Sequence, residues 1–248
     1  MQIEIIGTDK RQSYCARELK RALAFGLVGG DRRLVVLPIP TTRDKVLVTG
    51  SELKISDIPT LSGEGATFCG YSIPQSVKEK IADLGGSVLD LSYDEEFLSE
   101  NARLTALGTV GYILTHGESE PSDMNIGIIG YGRIGRALLR YLLLLGARVK
   151  LYTTRDSVRR ELGELGVATE IMSENADFDN LSLLINTAPT AFLGKISKSN
   201  QHLPIVELAS GDNFPESLSV TRLPSIPALM YPESSGKLYA KYILKGLD

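Results

Sequence analysis

A short glycine-rich segment near the middle of the chain constrains the fold more than any other feature. An apolar run over residues 124–129 ends in Gly-x-Gly-x-x-Gly, formed by Gly130, Gly132 and Gly135. Behind it, apolar residues recur at three- and four-residue steps as far as residue 145, the period of an amphipathic helix. Residues 147–152 then have the composition of a second strand. The sequence therefore predicts a strand–helix–strand unit with the three glycines at its first turn.

Each glycine has a distinct physical task in such a unit. Gly130 permits the tight turn, Gly132 lets a pyrophosphate approach the backbone, and Gly135 lets the helix pack closely on the strand. The N–H groups of the first helical turn, where Arg133 and Ile134 lie, would face the phosphates. A glycine turn that binds nothing is the alternative, but strand, motif, helix and strand occur in the order that the motif requires. We therefore predict a dinucleotide site.

The end of the second strand bears on which dinucleotide binds. An acidic residue about 20 positions after the motif would hold the ribose 2′-hydroxyl of NAD. The sequence there is Thr153-Thr154-Arg155, and two hydroxyls with a guanidinium suit a 2′-phosphate better. Two alternatives stay open: Asp156 returns an acid to the site, or Arg155 and Arg159 form a solvated face. We expect NADP, with NAD possible.

Composition excludes several classes of function. The chain has 248 residues, 43% apolar and 23% charged, with a net charge of −3, which argues against nucleic acid as the main partner. No apolar run approaches a membrane span, and Met1 leads into a strand pattern without a signal-peptide layout. Cys15 and Cys69 are the two cysteines, without a zinc-binding pattern. We expect a cytoplasmic, metal-free protein that forms a homo-oligomer.

Strand and helix patterns alternate on both sides of the glycine motif. Strands are expected near residues 2–6, 34–37, 67–70 and 87–91 before it, and near 167–170, 183–189, 205–210 and 220–223 after it. Residues 94–116 form one or two helical segments. The predicted class is α/β: a Rossmann-type doubly wound parallel sheet plus a smaller flavodoxin-like α/β domain, linked by crossover helices. The predicted domains are 1–100, 101–233, and a helix at 234–248 that packs back across the hinge.

Two loops should border the nicotinamide, because ligands of open α/β sheets lie outside the carboxyl ends of the strands. The first is Asn186-Thr187-Ala188-Pro189, and the second is Ala209-Ser210-Gly211-Asp212. We take Asn186, Thr187, Pro189 and Ala209 as cofactor-binding candidates.

Several short motifs, in a shared order, resemble the A subunit of dipicolinate synthase, a family akin to the cofactor domains of the 2-hydroxyacid dehydrogenases. The resemblance runs nearly end to end. Its motifs are Gly7 to Gln12, Leu37-Pro38 with Thr41-Thr42, Asn101 with Thr105 and Gly108, Gly130 to Gly135, Ile185 to Pro189, Leu208-Ala209-Ser210, and Pro224 to Gly236.

The resemblance implies a function. It implies NADP-dependent oxidation of a cyclic, dihydrodipicolinate-like dicarboxylate to the pyridine dicarboxylate of bacterial spores, hence a part in sporulation. It also implies a flavoprotein-like second subunit. This chain departs from the family pattern at Leu104 and Leu107, where the family has Pro and Glu, and at Glu233, where it has Lys.

Candidate catalytic residues follow from the substrate's charge. A dicarboxylate calls for cations and hydroxyls, and Arg11, Thr42 and Thr105 are the candidates that fall within or beside matched motifs. The two histidines, His116 and His202, stand in no recognisable setting for the His–acid pair of a 2-hydroxyacid dehydrogenase. The alternative is therefore a dinucleotide-binding regulatory or scaffold subunit without turnover of its own.

Overall fold

The computed structural model describes residues 1–27, 33–61, 65–189, 194, 196, 200–211 and 213–247. The chain divides into two compact units. The first comprises Met1–Asn101 with Pro227–Asp248, and the second comprises Ala102–Ile226.

Ten strands and seven α-helices are found in the described residues. In chain order they are β1 (Gln2–Ile5), α1 (Lys10–Ala24), β2 (Arg33–Val36), β3 (Thr67–Gly70), α2 (Gln75–Asp83), β4 (Ser87–Asp90), α3 (Glu95–His116), β5 (Asn125–Ile129), α4 (Arg133–Leu144), β6 (Arg148–Thr153), α5 (Asp156–Glu164), β7 (Ala168–Ile171), β8 (Leu183–Asn186), β9 (Ile205–Glu207), β10 (Val220–Arg222), α6 (Ile226–Met230) and α7 (Pro232–Lys245).

The first unit is built on a parallel sheet in the order β1-β2-β3-β4. This order follows the chain, whereas the flavodoxin pattern expected from the sequence would place β1 between two other strands. β2 is apolar and buried along Leu34, Val35 and Val36, as a strand covered on both faces must be.

The C-terminal helix α7 belongs to this first unit and packs against α1. The two backbones approach so closely that a Cβ at Gly236 would lie 2.6 Å from the carbonyl oxygen of Arg11. From α7, the buried Tyr239 hydroxyl donates a 2.7 Å hydrogen bond to the carbonyl of Leu37, just after β2. The close approach at Gly236 thus attaches α7 to α1, and the Tyr239 hydroxyl attaches it to the end of β2.

The second unit has six parallel strands in the order β10-β9-β8-β5-β6-β7. Counted within the unit, this is the order of the dinucleotide-binding fold, with its switch point between β5 and β8. The apolar stripe of α4 is buried against the sheet through Leu138, Leu139 and Leu142. The glycine turn at the end of β5 therefore lies beside the switch point.

The predicted α/β class with parallel, Rossmann-type sheets is confirmed, and each predicted strand is found within a few residues of its expected position. Residues 95–116 form one continuous helix rather than two segments. Within the described residues, no helix is both long and apolar enough to cross a membrane. Asp212, one of the residues expected to border the nicotinamide, lies outside the described residues.

Candidate dinucleotide site

The residues predicted to bind a cofactor all belong to the second unit, at or just after the carboxyl ends of four strands. Gly130 to Gly135 follow β5, and Ala209 lies two residues after β9. Thr153 and Asn186 are the last residues of β6 and β8, and Thr154, Arg155 and residues 187–189 follow them. Parallel strands bring their carboxyl ends to one edge of the sheet, so four segments distant in sequence share that edge.

Two of the three motif glycines are required by the protein's own packing. Gly130 has φ +96°, and a Cβ there would lie 2.8 Å from Oγ1 of Thr187. A Cβ at Gly135 would overlap the carbonyl oxygen of Gly130. The turn and the close approach of α4 to β5 thus explain Gly130 and Gly135 without any ligand.

Gly132 is different. Its backbone has φ −84° and ψ −165°, an extended conformation open to other residues, and a Cβ there would meet no described atom within 4 Å. It is also the N-cap of α4, where it offers no side chain to the N–H groups of the first turn. A glycine that the fold does not need, at an uncapped helix start, leaves room for an anion.

In the first unit, the corresponding turn joins β1 to α1, and a side chain of the protein caps the start of that helix. There, Asp9 caps α1, and its carboxylate accepts a 2.9 Å hydrogen bond from the backbone N–H of Gln12. An acid already at the start of α1 disfavours a second anion, so the two strand–helix turns differ in charge. Of these two turns, the one at Gly132 has the character of a phosphate site.

The end of β6 brings a cation to the glycine turn. Thr153 is buried, and its hydroxyl accepts a hydrogen bond from the backbone N–H of Arg155. The exposed Arg155 guanidinium donates from Nη2 to the carbonyl oxygen of Tyr131 at 2.9 Å, inside the glycine turn. A guanidinium has five N–H donors, so this contact leaves others for a ligand.

Asp156, the acidic residue that could instead bind the ribose of NAD, forms ion pairs within its own helix. It is the first residue of α5, and its Oδ1 lies 2.7 Å from Nη2 of Arg159 while its Oδ2 lies 3.1 Å from Nε of Arg160. The hydrogen bond and charge of Arg159 hold the pKa of this carboxyl below its ordinary value. Its carboxylate is thus paired with cations on the solvent-exposed side of α5.

A buried polar network joins the ends of β8 and β9. The Asn186 amide donates to Glu207, and its oxygen accepts from the backbone N–H of Ala188 at 3.1 Å. Glu207 also accepts from the N–H of Ala209 and from Asn213. Burial raises the pKa of the Glu207 carboxyl, against the lowering effect of these donors.

Sequence reasoning missed Glu207. The signal in the sequence was an acidic residue within the apolar run Ile205 to Ala209. An acid in a buried strand is almost always paired, so this position predicted a buried polar contact.

Thr187 and Pro189 contribute differently to this edge. The Thr187 hydroxyl donates to the carbonyl of Ile129 at 2.9 Å, and its backbone N–H bonds the same oxygen. Thr187 therefore fixes the end of β5, while Pro189 is exposed beyond it.

The candidate catalytic residues fall in both units. Arg11 is only 2% exposed, and its Nη2 donates to Asp9 at 2.9 Å and to the carbonyl of Ile39 at 2.6 Å. Its Nε is buried without a partner. Thr42 forms an isolated antiparallel bridge with Val48, and its hydroxyl accepts from the N–H of Lys45. Thr105 lies on α3 in the second unit.

The first unit has an open pocket of about 580 Å³ at the carboxyl end of β1. It is lined by Ile5, Ile6, Gly7, Thr8, Gly50, Ser51 and Glu52, of which Glu52 is the charged one. These residues alone do not supply the cations that a dicarboxylate needs. In the described part of the chain, no group of three or more His, Cys, Asp or Glu side chains is placed to hold a metal.

Comparison with known proteins identifies proteins that are similar to this chain. No family model matches the chain. The A subunit of dipicolinate synthase of Bacillus subtilis is 24% identical over 99% of this chain and 95% of its own length. The crystal structure of the same subunit from Bacillus halodurans superposes with a TM-score of 0.78 at 19% identity, covering 99% of this chain and 97% of that one.

A structure that is less similar to this chain has the same fold. The apo-structure of D-lactate dehydrogenase from Escherichia coli gives a TM-score of 0.53 at 14% identity, covering 99% of this chain and 98% of that one. The resemblance predicted from the short motifs is confirmed: the chain is similar to the A subunit of dipicolinate synthase over nearly its whole length, and it has the Rossmann-like fold of the dinucleotide-binding dehydrogenases.

Proposed function

We propose that this chain is an NADP-dependent oxidoreductase that acts on a cyclic dicarboxylate. The observation that carries the dinucleotide part is Gly132, a glycine that the chain's own packing does not require, at an uncapped helix start beside the switch point. The similarity to the A subunit of dipicolinate synthase and to dehydrogenases supports a dinucleotide-binding protein. Hydride transfer would be the cofactor's chemistry, and this chain would bind and orient the cofactor.

The preference for NADP rests on the segment after β6. Arg155 donates one hydrogen bond to the carbonyl of Tyr131, and its other N–H groups remain available to a ligand. Thr154 beside it is exposed. Asp156, which would favour the bare ribose of NAD, is paired with Arg159 and Arg160. A phosphate in place of the 2′-hydroxyl would therefore meet a guanidinium and a hydroxyl rather than a free carboxylate.

The substrate proposal rests on the relatives, because the pocket of the first unit does not identify one. A dipicolinate synthase makes a dicarboxylate, and the Bacillus subtilis relative is one subunit of such an enzyme. We propose a dihydrodipicolinate-like substrate and a flavoprotein-like second subunit for this chain. Arg11, Thr42 and Thr105 are the proposed carboxylate-binding residues, and Arg11 would have to exchange its contact with Ile39 for one with substrate.

The test has two steps. First, NADPH and NADH are titrated against the pure protein while nicotinamide fluorescence is followed, and NADPH is expected to bind more tightly. Next, NADP is mixed with cyclic and hydroxy dicarboxylates, and the absorbance of NADPH is followed. If neither NADPH nor NADH binds at millimolar concentration, the proposal is excluded.

The second candidate is a regulatory or scaffold subunit that binds the dinucleotide without turnover. It is favoured by the state of His116, which stacks on Tyr112 and bonds that residue's carbonyl oxygen rather than an acid. Leu104 is a buried apolar residue on α3, and Leu104 and Leu107 stand where the resembled family has Pro and Glu. Binding of NADPH without turnover of any dicarboxylate, even with a flavoprotein-like partner added, favours this candidate.

Cofactor choice has its own test. Arg155→Ala should weaken NADPH binding about ten- to hundredfold, because a charge-assisted contact is lost, and should leave NADH nearly unchanged. Arg140→Ala is the matched control, since it removes an exposed arginine that lies on α4 two turns beyond the glycine turn. If Arg155→Ala changes neither affinity while Asp156→Ala weakens NADH, the preference for NADP is wrong.

A further inference from the structure

Glu207 is a buried carboxylate that the proposed chemistry leaves without a role. It is the last residue of β9 and only 3% exposed. Removing a charged group from water is unfavourable unless hydrogen bonds compensate it, so the neighbours of Glu207 must supply them.

The compensation comes from segments that follow two different strands. Oε1 accepts from the backbone N–H of Ala209 at 2.9 Å and from Nδ2 of Asn186 at 3.0 Å. Oε2 accepts from Nδ2 of Asn213 at 3.1 Å. Because Asn186 also accepts from the N–H of Ala188, one carboxylate holds together the loop after β8, at residues 187–189, and the loop after β9, at residues 208–211 and 213. Both oxygens are used inside the protein, so Glu207 itself would not contact a ligand.

The place of this network in the sheet gives it a function. A dinucleotide lies across the switch point, here between β5 and β8. Its adenosine half would lie toward β6, where Arg155 stands, so its nicotinamide half would lie toward β8 and β9. The loops that Glu207 fixes are those expected to face the nicotinamide half.

We propose that Glu207 is a positioning residue that holds the loops after β8 and β9 in place against the nicotinamide half of the bound dinucleotide. The inference rests on the proposed function, because it presupposes a dinucleotide. It adds a specific consequence: loss of the carboxylate weakens binding of the nicotinamide half and leaves binding of the adenosine half intact.

The experiment compares two ligands. NADPH carries both halves, and 2′-phospho-ADP-ribose lacks the nicotinamide. Affinities are measured by calorimetry well below the melting temperature for the wild type, Glu207→Ala and Glu207→Gln. Ile126→Ala is the control, because Ile126 is fully buried near the amino end of β5, away from these loops. It destabilises the same unit without touching the network.

Glu207→Ala should weaken NADPH about tenfold, the equivalent of one good hydrogen bond, and leave 2′-phospho-ADP-ribose unchanged. Glu207→Gln should restore part of the affinity, because its remaining oxygen still accepts from Asn186 and Ala209. Its amide N–H groups would face the N–H donor of Asn213, so the Asn213 amide must turn to present its oxygen to them. Ile126→Ala should lower the melting temperature and change neither affinity.

Three results separate the possibilities. If Glu207→Ala weakens both ligands equally or neither, the positioning role is overturned and the proposed function stands. If the wild type binds neither ligand, the proposed function fails, and this inference fails with it. Should Glu207→Ala not fold, Asn213→Ala removes one donor from the partly exposed end of the network. A weaker but equally selective loss of NADPH affinity then supports the role, and no selective loss refutes it.

Discussion

Replacing Gly132 by alanine should weaken dinucleotide binding strongly while leaving the fold intact. The backbone conformation at Gly132 is open to alanine, and the new Cβ would contact no described protein atom within 4 Å. The methyl group would instead occupy the space through which a pyrophosphate approaches α4. Loss of the charge-assisted hydrogen bonds from the first turn costs about 1.5–3 kcal/mol, a ten- to hundredfold loss of NADPH affinity.

The stability of the Gly132→Ala protein should change little. Alanine is a poorer N-cap than glycine, which costs some tenths of a kcal/mol, but it reduces the entropy of the unfolded chain by about 0.4–1 kcal/mol. These effects oppose each other, so the melting temperature should stay within about 4 °C of the wild type.

Gly135→Ala is the contrasting variant. Its Cβ would overlap the carbonyl oxygen of Gly130, which is backbone and cannot turn aside. Overpacking of this kind costs about 1–3 kcal/mol or more, and each kcal/mol lowers the melting temperature by about 2–4 °C in a protein of this size. Gly135→Ala should therefore lose stability and NADPH binding together.

Both variants are measured by thermal unfolding with circular dichroism and by NADPH titration. The reasoning is refuted if Gly132→Ala binds NADPH as the wild type does, since the glycine would then serve no ligand. It is equally refuted if Gly132→Ala is as unstable as Gly135→Ala, since the fold would then need both glycines.

Three further predictions concern single side chains. Thr153→Asp should shift preference from NADPH toward NADH in fluorescence titrations, because a carboxylate repels a 2′-phosphate and accepts from ribose hydroxyls; unchanged selectivity would contradict it. Burial acts to raise the pKa of Asp90, but hydrogen bonds, led by that of Lys78, hold it below the ordinary 3.8, so Asp90→Asn should cost about 2–4 kcal/mol in denaturant titrations. The loss of unfolding free energy caused by Asp90→Asn should have its full size above about pH 5. It should become smaller as the pH falls below 3.8 toward the lowered pKa of Asp90 in the folded state, and a loss that does not depend on pH would contradict the role of the charge. Tyr239→Phe should cost about 1–3 kcal/mol and speed amide exchange in α7, because the carbonyl of Leu37 loses its buried donor; unchanged exchange would contradict this.

The sequence by itself determined the elements and the location of the glycine turn. Strands such as Thr67–Gly70 follow from short apolar, β-rich runs, and α4 follows from its stripe of leucines. Gly130, Gly132 and Gly135 are local signals too, because a turn and a close approach of strand and helix depend on residues only a few positions apart. Periodicity and turn chemistry are written within a short window of sequence.

Only the tertiary structure decided which polar groups are already used. Arg11 is a plausible anion ligand by sequence, yet it is buried and bonded to the carbonyl of Ile39. Glu207 reads as a strand residue, yet its carboxylate holds Asn186, 21 positions away. Tyr239 reaches Leu37 across 202 positions and makes the last helix part of the first unit. The physical reason is that burial and hydrogen-bond partners depend on which segments the fold brings together, and no local pattern encodes that.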